Sequence, residues 1–248
     1  MKKRILFSML VVFFGGLLGS TAFAGAPPSV GGPAGAPGGP TAPGKRGAIS
    51  FELGYYSPSL KTVNDDMKVA GFPEIGGNLL LSVKSTFGGG ASPVYGYVGL
   101  SYWSSSTTRD VDNAEAKVTL LSFPVGLEIP ILTGTLPEQV MLHIDIDGKL
   151  VLPFWRFENA TGYYKAWSLG YDAGVRVGGQ YFVVPNRFSL GGNIGYAFLG
   201  KTGQLTVLNS TLLPPWPQID DKLLTSDGKE FVFELSGITL MFDVRLWF

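Results

Sequence analysis

The chain has 248 residues, which is enough for one large domain or two small ones. Apolar residues make up 45% and charged residues only 15%, well below the roughly 25% that is usual in soluble domains. Glycine and aromatic residues are abundant, and there is no cysteine to form a disulfide. This composition argues against a cytosolic globular protein and favours a β-rich membrane protein.

The first 24 residues have the features of a cleaved secretory signal peptide. Bases at positions 2–4 precede a short apolar stretch, and Ala-Phe-Ala at 22–24 supplies a small-x-small cleavage site. A retained membrane anchor is the alternative, but three glycines interrupt the apolar stretch. Cleavage would remove three of the 19 bases and none of the 19 acids, leaving a net charge of −3. No basic block remains, so we expect no nucleic-acid partner.

Residues 25–46 form a leader that is almost purely glycine, proline and alanine up to position 44. Such a composition cannot bury enough apolar surface to form a core, so we predict a disordered segment. Fully extended at about 3.1 Å per residue, it would reach roughly 60 Å. We interpret it as a flexible spacer before a folded domain at 47–248.

From Gly47 onward, apolar and polar residues alternate, which predicts β-strands. The clearest case is 140–152, where one face is apolar and the other carries His143, Asp145, Asp147 and Lys149. Most strands are ten or more residues long, sufficient for a transmembrane strand of about 9–11 residues. The pattern predicts about eight strands, near 47–56, 77–87, 94–103, 117–129, 140–152, 166–182, 187–199 and 231–248.

The connections between these strands alternate between long and short. The long ones lie near 57–76, 104–116, 153–165 and 200–230, and the short ones near 88–93, 130–139 and 183–186. This order is typical of a barrel with long outer loops and tight inner turns. We therefore predict an all-β fold, a transmembrane antiparallel up-and-down β-barrel of about eight strands. Ten strands are an alternative, because Leu205 and Val207 could extend the strands that flank the last loop.

Two further features refine this barrel. The first long loop is predicted to contain a short helix with Ser57 or Ser59 as its cap. Aromatic residues cluster at both predicted strand ends, as expected of girdles at the two membrane interfaces. The outer girdle comprises Tyr55, Tyr102, Trp155, Trp167, Tyr196 and Phe198, and the inner one Phe87, Tyr95, Tyr181, Phe188 and Phe248.

If the apolar face of each strand meets lipid, the opposite residues point into the lumen. An eight-stranded barrel is only wide enough for side chains to fill it. Acids and bases are mixed on this face, so we predict a lumen plugged by ion pairs and hydrogen bonds. The predicted polar network comprises Glu52, Lys84, Glu128, His143, Asp145, Asp147, Lys149, Asp172, Arg176, Asp243 and Arg245.

The segment 143–147 raises a second hypothesis about the same residues. Alternation places His143, Asp145 and Asp147 on one face, about 7 Å apart in succession. They could ligate a metal or form half of a catalytic arrangement with an inward-facing serine. His143 is the only histidine, however, and the spacing matches no specific metal motif. For the catalytic hypothesis, the candidate nucleophiles are Ser82, Ser122, Ser168 and Ser189. We nevertheless predict no catalytic, metal or cofactor site and no enzymatic activity.

The carboxyl terminus carries the most specific resemblance. Apolar residues at every second position end on an aromatic residue: Leu240, Phe242, Val244, Leu246 and Phe248. With the signal peptide, about eight alternating strands and the segment LLSFPVGLEIP at 120–130, this resembles the superfamily of small, porin-like outer-membrane β-barrels of bacteria. The resemblance singles out no subfamily. It implies that the terminal motif is an assembly signal read by the barrel-assembly machinery, with the leader in the periplasm and outer-membrane lipids around the barrel.

The expected function is a structural or surface-interaction role, with four surface-exposed loops available to a ligand. The last loop contains Pro-Pro-Trp-Pro at 214–217, where Trp216 would contact a partner or fold over the barrel mouth. Two alternatives remain open at this point. One is a narrow channel for small or hydrophobic molecules, and the other is a lipid-A-modifying enzyme.

Overall fold

A computed structural model describes residues 47–88, 94–131, 139–185 and 187–248. The predicted signal peptide and leader lie outside these residues, as do most of the short connections near 88–93 and 130–139 and residue 186. The elements in chain order are β1 (Gly47–Pro58), α1 (Lys61–Val69), β2 (Asn78–Gly88), β3 (Tyr95–Arg109), β4 (Ala114–Ile131), β5 (Val140–Asn159), β6 (Gly162–Trp167), β7 (Gly170–Val184), β8 (Phe188–Ala197), β9 (Lys201–Thr202), β10 (Thr206–Ser210) and β11 (Gly237–Trp247).

Eight of these strands form a closed antiparallel barrel. Their order is β1–β2–β3–β4–β5–β7–β8–β11, and β11 pairs with β1 to close the ring. The closing register places Ala48 opposite Trp247 and Pro58 opposite Gly237. The predicted all-β, eight-stranded antiparallel barrel is confirmed. The ten-stranded alternative is wrong, because β6, β9 and β10 lie outside the ring.

The two faces of the barrel wall have opposite chemistry. Outward positions carry large apolar side chains that no protein atoms cover, such as Phe51, Leu81, Ile146 and Phe242, each about half exposed. Inward positions carry buried charged and polar side chains, such as Glu52 and Lys84. Soluble monomers rarely expose contiguous apolar surface on this scale. Within the described ranges, no helix has the length and apolar character needed to span a membrane.

Two of the four predicted long loops are extensions of the sheet. β3 continues to Arg109 and β4 begins at Ala114, so 104–116 is a hairpin with its turn at 110–113. β5 continues to Asn159 and β6 follows at Gly162, so 153–165 is also largely strand. The prediction of loops here was wrong because the two faces exchange chemistry above the barrel. On β4 and β5 apolar residues turn inward, and on β3 both faces carry serine and threonine, so the segments lack the apolar outer face of the barrel strands.

Two predicted strand boundaries were also wrong. The strand expected over 166–182 is interrupted at 168–169, with β6 above the break and β7 in the barrel. The last strand begins at Gly237 rather than at 231, because Phe231, Phe233 and Leu235 belong to a separate apolar core. We refer to residues 60–76, 104–120, 153–168 and 199–236, which enclose this core, as the cap.

The cap has a hydrophobic core of its own above the polar lumen. Strand ends contribute Trp103, Val118 and Trp155, whereas α1 contributes Val63 and Met67, all of them buried. The segment 199–236, which joins the last predicted loop to the start of the last predicted strand, contributes Leu205, Val207, Leu212, Leu223, Phe231, Phe233 and Leu235. Burial of these side chains stabilises the cap by roughly 1.5–3 kcal/mol for each large one. The last predicted loop is therefore folded against the sheet.

Helix α1 is held by the cap rather than by a serine cap. It follows Leu60, which has a left-handed backbone (φ 43°) and provides no side-chain cap. The prediction of Ser57 or Ser59 as the cap was thus wrong. Instead, the Asn64 side chain donates to Ile75 O and accepts from Ile75 N, at 3.1 and 2.8 Å. These bonds fix the return of the chain from α1 to β2.

The aromatic girdles are largely but not wholly as expected. Trp155 is buried in the cap core, and Tyr95 points inward, where its ring lies 6.0 Å from that of Trp247. Trp167 and Phe188 are half-buried. The other predicted girdle residues are about half exposed on the outer face: Tyr55, Phe87, Tyr102, Tyr181, Tyr196, Phe198 and Phe248. Aromatic character alone does not indicate which face of a strand a residue occupies.

Candidate functional site

The lumen contains a network of ionisable side chains contributed by six strands. All eleven residues of the predicted polar network point inward; Lys149 and Arg176 are half-buried and the other nine are buried. The strand register brings them together. Asp145 on β5 lies opposite Glu128 on β4 and Arg176 on β7, and Glu52 on β1 lies opposite Asp243 on β11.

Lys84 stands at the centre of this network. Its Nζ lies 2.9 Å from Asp145 Oδ2, 3.2 Å from Glu128 Oε2 and 4.0 Å from Glu52 Oε1. The side chain is 1% exposed, and the ammonium also lies 4.0 Å from the centre of the Tyr97 ring. One buried ammonium therefore contacts carboxylates from three different strands.

Two arginines and a second lysine bind the remaining acids. Arg176 approaches Asp147 at 3.0 Å, Asp145 at 3.4 Å and Glu52 at 3.7 Å. Arg245 lies 2.7 Å from Glu128 and 3.6 Å from Asp243. Lys149 joins Asp172 at 3.2 Å and Asp147 at 3.5 Å. Every predicted acid of the network thus contacts at least one base.

Three residues that sequence reasoning missed complete the network. Tyr97 Oη donates to Asp147 at 3.0 Å and accepts from Arg176 at 2.9 Å. Gln180 donates to both oxygens of Asp243, at 2.7 and 2.8 Å. Alternation could have identified Gln180, which lies four residues after Arg176 on the same face. Tyr97 is on the same face as Tyr95, which was assigned to a girdle. The third missed residue is Trp247, whose Nε1 donates to Ser189 Oγ at 3.0 Å.

Glycines on β7 and β8 provide the space for these long side chains. A Cβ at Gly178 would lie 2.8 Å from His143 Nε2, and a Cβ at Gly191 only 2.1 Å from Gln180 Nε2. Cβ atoms are not found at such distances from non-bonded atoms. These inward glycines therefore leave room for long side chains on the neighbouring strands, since Gly178 lies opposite His143 and Gly191 lies opposite Gln180.

The geometry does not favour a metal centre at His143. Glu128, His143 and Asp145 each offer a ligand atom, and these atoms lie within 4.8 Å of one another. Both oxygens of Glu128 already bind cations, Oε1 to Arg245 and Oε2 to Lys84. Asp145 Oδ2 is also bound to Lys84. A metal ion would have to displace these bases or tolerate their charge.

A catalytic pair is not assembled either. Neither ring nitrogen of His143 has a hydrogen-bond partner among the described residues. Three of the candidate serines form hydrogen bonds with other groups. Ser168 Oγ donates to Gly203 O at 2.8 Å, and Ser189 Oγ donates to Gln180 Oε1 at 2.9 Å. Ser82 Oγ accepts from Ser101 Oγ at 3.1 Å. Ser122 lines a small lumen cavity. Nucleophilic catalysis needs a serine within hydrogen-bond reach of its base.

A small cavity separates the charged network from the cap core. It has a volume of about 40 Å³, with Glu52 and Arg176 below and Trp103 and Leu235 above. Such a volume holds only a few water molecules. The polar lumen is therefore covered on the cap side by buried apolar side chains.

A larger cavity opens in the cap itself, beside the proline-rich segment. Its volume is about 490 Å³, and its polar rim contains Asp66, Arg109, Asp221 and Lys222. Phe157 stacks between Tyr164 and Trp216, with ring centres 5.5 and 5.2 Å apart and planes inclined by 24° in both cases. Burial raises the pKa of the Tyr164 phenol, whose oxygen accepts from Trp155 Nε1 at 3.3 Å. The apolar walls are formed chiefly by Met67, Phe72, Phe157, Tyr164, Trp216 and Phe231.

The residues of the terminal motif lie on the outer face of β11 and at its end. Leu240, Phe242, Leu246 and Phe248 are about half exposed, and Val244 is half-buried. The backbone N–H of Phe248 donates to Gly47 O at 3.0 Å. The end of the chain and the start of the folded domain therefore meet at the same rim of the barrel, opposite the cap.

Comparison with known proteins gives a limited result. No protein-family model matches the sequence, and no curated protein matches it. Among solved structures, the chain is similar to Neisserial surface protein A (NspA), with 14% identity, a TM-score of 0.37 and coverage of 82% of this chain and 96% of that chain. It is also similar to Ail, the attachment invasion locus protein of Yersinia pestis, solved with the heparin analogue sucrose octasulfate, with 12% identity, a TM-score of 0.37 and coverage of 82% and 98%.

Proposed function

We propose that this chain is an integral outer-membrane β-barrel with a filled lumen, whose cap has a structural or surface-interaction role. The observation that carries the proposal is the closed ring of strands with an apolar outer face and a charged interior. A closed ring pairs the backbone groups of the wall, as a membrane interior requires. The apolar outer face is stable when lipid, and not water, surrounds the barrel.

The height of the apolar wall supports insertion. On β4, six successive outward positions are apolar, from Leu121 to Ile131. Ten steps of about 3.3 Å, tilted by about 40°, span roughly 25 Å along the barrel axis. This matches the apolar band of about 25 Å that outer-membrane barrels present.

Membrane insertion can be tested by heat-modifiable mobility. We expect the mature protein, reconstituted in phosphatidylcholine vesicles, to run faster on gels unheated than boiled, because the closed ring resists unfolding by the detergent. The barrel strands should also resist added protease. A mature protein that stays soluble without detergent and shows no mobility shift would contradict the proposal.

The filled lumen argues against the alternative of a narrow channel. Ion pairs occupy the barrel, and the cap core covers the cavity above them. We therefore expect no current above background when the purified barrel is inserted into a planar lipid bilayer. Reproducible single-channel steps would show instead that a continuous aqueous path exists. The other alternative, a lipid-A-modifying enzyme, is not favoured, since His143 is buried in the lumen with no serine bonded to it.

The cap cavity is the place where we infer that a surface ligand binds. Its volume lies within the range of about 300–1,000 Å³ typical of small-molecule sites. The near-parallel rings of Tyr164, Phe157 and Trp216 favour a flat apolar ring system. Two bases, Arg109 and Lys222, and two acids, Asp66 and Asp221, line the rim, so it accommodates a polar substituent without selecting the sign of its charge. The ligand class is therefore a fused-ring compound with a polar substituent.

This inference is tested with 2-naphthoate and ligand-observed NMR on the protein in lipid nanodiscs. We expect Trp216→Ala to weaken binding about tenfold, since one aromatic stacking contact and its buried area are lost. Leu213→Ala is the matched control, because Leu213 is 80% exposed in the same segment and does not line the cavity. Equal binding by the wild type and Trp216→Ala would exclude this site.

A further inference from the structure

Three bases lie side by side on the outer face of the cap sheet. The register places Lys117 on β4 opposite Arg156 on β5, and Arg156 opposite Lys165 on β6. Their sequence neighbours Ala116, Trp155 and Ala166 are buried in or beneath the cap core, so alternation turns the three bases outward. We refer to Lys117, Arg156 and Lys165 as the basic row.

The basic row stands at a defined height above the apolar wall. On β4, the outward positions pass from the apolar wall through Thr119 to Lys117. On β5 and β6, Phe154 and Trp167 lie opposite one another, and Arg156 and Lys165 are the next outward positions. On each of the three strands, the basic row is thus the first charged position beyond the apolar wall. On β5 and β6, the basic row lies two residues, or about 7 Å along the strand, beyond the aromatic pair Phe154 and Trp167.

The arrangement is unfavourable for the sheet by itself. Like charges directly opposite one another on neighbouring strands are destabilising. Two residues further from the apolar wall, β4 and β5 carry acids instead of bases, with Glu115 opposite Glu158. Arg156 forms an ion pair with Glu158. Mixed rows would have given the same charge balance without like-charge neighbours. The charges are instead sorted by height, with the bases nearest the apolar wall.

This sorting indicates what the bases meet. A plane of negative charge just above the hydrocarbon attracts bases at its own level and repels acids. Arg156 presents a planar guanidinium suited to bidentate phosphate binding, and the two lysines add point charges on either side. The Tyr163 ring lies 5.3 Å from both the Arg156 guanidinium and the Lys165 ammonium, which holds these two side chains over the same patch.

We propose that the basic row binds the phosphate of a phosphorylated membrane lipid in the leaflet that surrounds the cap end of the barrel. The proposal rests on the membrane insertion proposed above. It assigns to one sector of the barrel, β4–β6, a preference for anionic lipid that the neighbouring β3 does not share. On the neighbouring β3, the corresponding outward positions are Ser104, Ser106 and Thr108, which carry no charge.

The test is a titration of the detergent-solubilised barrel with diphosphoryl lipid A, followed by native mass spectrometry. Each base near an anionic surface contributes about 1 kcal/mol, so Lys117→Gln/Arg156→Gln/Lys165→Gln should bind about a hundredfold more weakly than the wild type. The matched control is Lys61→Gln/Lys68→Gln/Lys229→Gln, which removes three exposed bases elsewhere in the cap. We expect it to bind as the wild type does. Lys117→Arg/Lys165→Arg, which preserves the charge, should also retain binding.

The possible results separate this proposal from membrane insertion. Equal lipid A binding by the wild type and the triple glutamine variant would overturn the proposal, as would equal binding of lipid A and phosphatidylcholine by the wild type. Displacement of lipid A by an equimolar amount of inorganic pyrophosphate would point to free phosphate as the ligand and would also overturn it. If the wild type fails to insert into phosphatidylcholine vesicles at all, the proposed membrane function itself is wrong.

Discussion

Replacing Lys84 with methionine should destabilise the barrel by about 3–5 kcal/mol, the usual cost of removing one partner from a buried ion-pair network. Lys84 Nζ contacts carboxylates of Glu52, Glu128 and Asp145, and the side chain is 1% exposed. Without it, these carboxylates remain buried and rely on Arg176 and Arg245. Methionine replaces the apolar stem of lysine and lacks only the terminal ammonium position, so packing along the stem changes little. The measurement is urea unfolding in lipid vesicles, followed by tryptophan fluorescence.

A surface lysine provides the control for this prediction. Lys229 is 80% exposed and pairs only with the neighbouring Asp227 among the described residues, so Lys229→Met should leave the free energy of unfolding essentially unchanged. Adding Asp145→Asn to Lys84→Met should recover part of the loss, because an amide does not leave an unpaired charge. If Lys84→Met unfolds within about 1 kcal/mol of the wild type, the network does not stabilise the barrel as described.

Replacing Trp155 with alanine should open the cap while the barrel remains folded. Trp155 is 3% exposed and packs against Phe231 and Phe233, with ring centres 5.3 and 6.4 Å away. Its Nε1 donates to Tyr164 Oη at 3.3 Å. Removing so large a buried side chain costs about 3–5 kcal/mol. We expect faster hydrogen exchange in the cap and new proteolytic cuts between 203 and 236, with heat-modifiable mobility retained.

The same experiment distinguishes the two locations considered for Trp155. A tryptophan in the outer girdle would affect membrane insertion and leave the cap protected. Tyr102→Ala is the matched control, because Tyr102 is 45% exposed on the outer face and has no place in the cap core. Unchanged protection of 203–236 in Trp155→Ala would show that the cap does not depend on this core.

The structure changes the meaning of the predicted surface loops. Freely exposed loops would make any surface interaction depend on flexible segments. The hairpins of β3–β4 and β5–β6, with α1 and the segment 199–236, instead form a packed body with a cavity. An interaction site in such a body is preorganised, so a ligand would not have to order the segments that bind it. The proposed function therefore concerns the rigid cap.

The lumen illustrates how far alternation can predict a site. Period two identified eleven charged residues that share the inner face, because successive side chains of a strand point to opposite sides. It did not identify which of them would pair, because Lys84 and Asp145 are 61 residues apart and meet only across the closed barrel. Tyr97 and Gln180 were missed because aromatic and amide residues occur on either face of a strand, so residue type alone gives no signal. Alternation from Arg176 would have placed Gln180 on the inner face, where it is buried.

Local pattern by itself predicted about eight strands, their antiparallel order and the polar side of each, since these follow from alternation and from connection length. The pairing of β11 with β1 decided that the ring has eight strands and not ten. The tertiary structure decided where the inner face changes from polar to apolar. That change depends on what covers each level of the sheet. Trp155 and Phe231 contact each other across 76 positions of the chain, and only their packing excludes water above the lumen. Once the cap core is closed, polar residues of the same strands must face outward, which places Lys117, Arg156 and Lys165 in a single row.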